Sequence, residues 1–175
     1  GMAVERGYAF DLFEADYNQV ERQVLDQTSE LYEFEADYVI VFQSTHKLLS
    51  RYNRLAPENQ ATLAQDRIDF IKTMCNSIPS RLIYFNYAEI DDHVFGNYAN
   101  KLENSFIYQV RKLNFELMNL AQHDPNLFIC DIASLQNKLG RNVMFHPSIY
   151  VSTEMVLSID ALPHVASRLM DIIAA

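Results

Sequence analysis

The chain has 175 residues, 49% of them hydrophobic and 12% aromatic, with a formal net charge of −9. A length in this range supports one domain, residues 1–175, whose core buries roughly 70% of the unfolded surface. The negative charge argues against nucleic acid or an anionic membrane as a partner, because a polyphosphate calls for a field of opposite sign. No run reaches the ~20 apolar residues of a bilayer span.

Gly1 ahead of Met2 reads as an expression scar, and residues 2–6 as the tail of a helix closed by Gly7. This start is too polar and short for an export signal, which predicts a cytoplasmic protein. Residues 8–14 alternate Tyr8, Phe10 and Leu12 with polar or small neighbours, the pattern of an edge strand. Asn18 with Glu21 has capping-box spacing ahead of Val20, Val24 and Leu25. Residues 38–43 form a nearly continuous apolar run, as expected of a strand buried on both faces.

Pro57 and Glu58 suit a first helical turn, after which Ala64, Ile68, Ile71, Cys75 and Ile78 mark one face until Pro79. Residues 81–86 read as a third strand and residues 127–131 as a fourth. Between them, Asn100 and Glu103 repeat the capping-box spacing before a stripe of Leu102, Phe106, Val110, Leu113, Leu117 and Leu120. Gly140 is placed to close a helix. Asp160 is placed to cap a last one, with Pro163 in its first turn and Leu162, Val165, Leu169 and Ile172 facing inward.

Strands alternating with helices predict an α/β fold: a three-layer αβα domain around a mostly parallel sheet. Such doubly wound domains usually open with a strand that sits centrally. None precedes the helix tail here, so the expected sheet is missing its first strand. A buried backbone group left without a partner costs about 1–3 kcal/mol. The chain is therefore predicted either to pair residues 8–14 directly with residues 38–43 or to cover the gap as a homodimer.

Ligands of open parallel sheets bind beyond the carboxyl ends of the strands. Those ends carry Gln43, Ser44, Thr45 and His46, then Asn86, then Asp131, with Gly96 and Asn97 at the crevice rim. Two readings stand side by side: the residues line a binding crevice, or they cap the helices and turns that follow. Ser44 and His46 lie too close in sequence to act as a nucleophile–base pair, and no G-x-S-x-G elbow is present. Asp91, Asp92 and His93 are adjacent, and adjacent residues seldom converge on one ion. The five histidines show no ligand spacing, so no metal is assigned to this chain. Cys75 and Cys130 sit within apolar patterns and read as buried thiols.

Several blocks resemble the FkbH-like family when taken together. They are residues 12–23 with Tyr17, Asn18 and Gln19, residues 29–34, and residues 39–48 with Gln43, Ser44, Thr45 and His46. Residues 95–100, 111–117, 131–136, 150–155 and 157–163 extend the resemblance over essentially the whole chain. It implies an N-terminal domain similar to the SGNH-hydrolase, flavodoxin-like fold, joined in the family to a haloacid-dehalogenase-type phosphatase domain. The implied chemistry removes phosphate from a phosphorylated three-carbon acid and passes a glyceryl unit to a carrier-protein thiol. Relatives also occur in surface-polysaccharide biosynthesis.

The phosphatase motif D-x-D-x-[TV] does not occur in these residues, so Mg²⁺ is expected only in the family's separate phosphatase domain. The SGNH closing motif D-x-x-H-P is broken, with Val143 in the acid position ahead of His146 and Pro147. The reading that follows is an auxiliary domain, not catalytic alone, which serves a phosphatase domain and a carrier protein. The alternatives are an SGNH-type esterase or acyltransferase with divergent catalytic residues, and an oligomerisation or structural module.

Overall fold

The computed structural model describes residues 7–16, 19–145 and 157–175. Three parallel strands form the sheet in the order β1 (Tyr38–Val41), β2 (Arg81–Phe85), β3 (Leu127–Cys130). Tyr38 pairs in register with Arg81, and Leu82 with Leu127. Each observed strand is one or two residues shorter at its carboxyl end than the apolar run suggested.

Short helices α1 (Val20–Leu25) and α2 (Glu30–Glu33) precede β1, and α3 (Thr45–Tyr52) follows it. A 3-10 turn over Pro57–Thr62 leads into α4 (Leu63–Ser77). A second, Gly96–Lys101, precedes α5 (Phe106–His123). After β3 come α6 (Ile132–Leu139), α7 (Arg141–Met144) and α8 (Leu162–Ile173).

Side chains alternate across β2 and so feed two cores. Leu82 and Tyr84 enter a cluster with Ile68, Ile71, Val110 and Leu113, from α4 and α5. Ile83 and Phe85 enter the other, with Leu135, Met144 and Val165 from α6, α7 and α8. A sheet between two helical layers is the three-layer αβα arrangement the sequence predicts. The α5 stripe holds for Phe106, Val110, Leu113 and Leu117, which are completely buried, whereas Leu120 is half-buried and Leu102 precedes the helix.

Five expectations need correction. Residues 8–14 are not a strand; they run as irregular chain beside β1 and form no ladder with it. The direct pairing of residues 8–14 with residues 38–43 is therefore not made. The long helix starts at Phe106, and its cap is Ser105, whose Oγ accepts from the Tyr108 N–H at 3.3 Å, not Asn100 with Glu103. Asn100 Oδ1 instead accepts from the Arg111 guanidinium. The last helix begins at Leu162 without a side-chain cap from Asp160; Ser158 Oγ accepts from the Ala161 N–H at 3.2 Å. Leu162 is 43% exposed and faces outward, while Val165 is buried as expected. Gly140 does close α6, at φ +83, a left-handed conformation that disfavours a Cβ. Asn18, His146, Pro147 and residues 2–6 and 150–155 lie outside the described residues.

Candidate functional site at the carboxyl ends of the strands

The chain leaves β1 through Gln43 and turns at Ser44, whose Oγ accepts from the Lys47 N–H at 3.1 Å and so caps α3. Thr45 Oγ1 donates to the Ala88 carbonyl at 2.7 Å, tying the start of α3 to the loop after β2. Asn86 Nδ2 donates to Asp131 Oδ1 at 2.8 Å, and that same oxygen accepts from the Ser134 N–H at 2.9 Å. Asn86 Oδ1 accepts from the Ala133 N–H at 3.1 Å. Asn86 and Asp131 together thus satisfy two of the orphan amides at the start of α6.

Gln43 accepts from Arg67, whose guanidinium also meets Glu21 Oε1 at 3.4 Å. Arg67 is almost wholly buried and has no hydrogen-bond partner for its Nε among the described residues. Burial pulls its pKa down, but the neighbouring Tyr84 and Tyr87 phenols outweigh that and leave it raised. Those phenols bond to each other at 2.7 Å, and burial pushes Tyr87 well above its ordinary value. Glu21 is held low, first by its bond from Arg51 at 2.9 Å.

The His46 ring stands edge-on to Phe145, with centroids 5.7 Å apart. Burial holds its imidazole below the ordinary histidine value, and the Arg141 charge adds to this. Gly96 and Asn97 are exposed at the head of a six-residue 3-10 turn, apart from the Asn86–Asp131 pair in the bonding network. Among the described residues, no group of three His, Cys, Asp or Glu side chains converges as a metal site would require.

The sequence reading missed the residues that organise this end. Asn114 holds the Tyr87 backbone, and Gln136 holds that of Glu89 in the same way: its Oε1 accepts from the Glu89 N–H at 2.9 Å and its Nε2 donates to the Glu89 carbonyl at 2.8 Å. The Glu89 carboxylate then takes a two-pronged bond from Arg111, both contacts 2.8 Å, which lowers its pKa. Gln109, fully buried, accepts from the Ala64 N–H at 2.9 Å and donates to the Glu103 carbonyl at 2.7 Å. A signal existed for two of them. Arg67 interrupts the Ala64–Ile68–Ile71 face and Gln109 the Phe106–Val110–Leu113 face, and a polar group inside an apolar stripe needs a partner.

A cleft of about 1000 Å³ lies elsewhere, between residues 9–13 and the edge of β1 that no described strand pairs with. None of the strand-end residues Gln43, Ser44, Asn86 or Asp131 lines it. No described helix is long and apolar enough to cross a membrane.

The family model for the FkbH N-terminal domain matches residues 1–174. No curated protein matches the chain. A crystal structure of the N-terminal part of the protein BF1531 from Bacteroides fragilis, which contains a phosphatase domain complexed with Mg, is similar throughout. It is 52% identical with a TM-score of 0.96, and the match covers 99% of this chain. The chain spans 46% of that solved one, less than half its length. With the family model spanning nearly every residue, the chain belongs to the FkbH N-terminal domain family.

Proposed function

We propose that this domain is the auxiliary partner of a phosphatase domain, positioning substrate or carrier protein without itself carrying out phosphoryl or acyl chemistry. One observation carries the reading. The hydroxyl, amide and carboxylate groups at the strand ends are engaged in fixing backbone and helix starts: Ser44, Thr45, Asn86 and Asp131 each hold a main-chain group. A nucleophile needs its oxygen or sulfur within hydrogen-bond reach of a base, and the Ser44 hydroxyl instead seats the first turn of α3. The similar BF1531 protein carries a phosphatase domain in the same polypeptide, which supports the pairing of functions. The family resemblance supplies the reaction: phosphate leaves a phosphorylated three-carbon acid with Mg²⁺ in the phosphatase domain, and a glyceryl unit passes to a carrier thiol.

The test is phosphate release from a phosphorylated three-carbon acid, with Mg²⁺, by the phosphatase-bearing polypeptide with and without this domain and by residues 1–175 alone. Residues 1–175 are expected to release nothing above buffer, and removal of the domain to raise KM or abolish transfer to the carrier. Turnover of phosphate or of a fluorogenic acyl ester by residues 1–175, lost in Ser44→Ala or His46→Gln, would replace this reading with the esterase one.

A further inference from the structure

We infer that the cleft beside β1 is an acceptor groove for one extended, apolar strand from the polypeptide flanking this domain, pairing with Tyr38–Val41 and completing the sheet. Among the described residues β1 is bonded to β2 along one edge only. Its other edge faces residues 9–13 across the cleft, and no strand pairing joins them. A neighbouring strand sits ≈ 4.7–4.9 Å away and brings its own backbone donors and acceptors, so what suits this edge is another main chain.

The walls state what side chains that strand carries. Val20, Val24 and Leu31 line the cleft from the α1 and α2 side, and Ile173 lines it from α8. A strand inserted there is covered on both faces, which calls for a continuous apolar run. Phe10, Leu12 and Ile40 line the same cleft and are 43%, 86% and 46% exposed, a cluster of large apolar groups in want of cover. Asp11, Glu35 and Asp37 against Arg81 leave the lining net acidic, which excludes an acidic occupant.

A second copy supplies no such strand. Among the described residues its one strand with a free apolar edge beside the same cleft is β1 itself, and that edge is walled by its own residues 9–13, so it cannot enter this cleft as an inserted strand. What remains is residues 8–13, which carry Asp11 and already form the opposite wall. Polypeptide outside the matched part makes up more than half of the solved relative. The inference rests on the proposed function only for the existence of flanking polypeptide.

The experiment places a photo-crosslinking amino acid at Ile40 in the phosphatase-bearing polypeptide and measures hydrogen exchange across residues 38–42 in the same material. The expected crosslink lies in an apolar segment outside residues 1–175, with β1 amides protected to within tenfold of those of β2. A crosslink confined to residues 1–175, of the same or of a second copy, or protection that falls on tenfold dilution, overturns the proposal. So does β1 exchange more than a hundredfold faster than β2. Phosphate release by the same preparation reports separately on the phosphatase partnership, so either idea can fail alone.

Discussion

Asn114 grips the main chain of Tyr87 from both sides: its Nδ2 donates to the Tyr87 carbonyl at 2.7 Å and its Oδ1 accepts from the Tyr87 N–H at 2.9 Å. Tyr87 is 1% exposed, so neither group has water as a substitute. Asn114→Leu strands both, and at about 1–3 kcal/mol for each buried unsatisfied group a loss of about 2–6 kcal/mol in unfolding free energy is expected. Urea denaturation checks it, with the midpoint falling and the slope unchanged.

Acid acts on this domain in two windows. Burial keeps His46 below its unfolded value of about 6.5, so the unfolded chain binds the extra proton and stability declines as pH falls below that value. Glu21 and Glu89 are depressed by their arginine partners, and their contributions persist until the pH falls through their folded values, below the usual carboxylate range. Thermal melts between pH 7 and pH 5 are expected to show a falling Tm in the native chain and a flatter profile in His46→Gln. An unchanged profile in the variant would assign the slope to other groups.

Ser44→Ala removes the cap of α3 and is expected to cost about 1 kcal/mol. Ser44→Asp, which keeps an acceptor for the Lys47 N–H and adds a negative charge at a helix start, is expected to recover most of that in the same denaturation assay.

The two cysteines are free and poorly ionised. Burial, with the Asp124 carboxylate adding, pushes the Cys75 thiol up to about 12, and burial pushes Cys130 up to about 11. Since the thiolate is the reactive form, native protein at pH 8 is expected to take up iodoacetamide at less than about a tenth of the rate of denatured protein. Intact-mass spectrometry reads both rates.

The strands that became β1, β2 and β3 were legible because a run buried on both faces is apolar throughout, whatever lies beside it. Residues 8–14 misled because alternation is a local property, whereas a strand exists only when its backbone reaches a partner's ladder, and a cleft separates these residues from the edge of β1. The start of α5 misled for a related reason: Asn100 and Glu103 have the right spacing, but Asn100 bonds to Arg111, eleven positions on. Ser44, Asn86 and Asp131 lie just past the ends of β1, β2 and β3, and the capping alternative describes the bonds that Ser44 and Asp131 make. Asn114 and Gln136 were out of reach, because each serves a backbone segment whose proximity only the assembled sheet creates.

The loop from Tyr87 to Glu89 has a consequence for kinetics. Its bonds come from Thr45, Asn114 and Gln136, at sequence separations of 43, 27 and 47 residues, on three different helices or helix flanks. Closing such distances costs entropy before any of these bonds can repay it, so the loop sets only after α3, α5 and α6 have reached the sheet. Loosening it should accelerate the escape from the native basin while leaving the rate of entry nearly untouched.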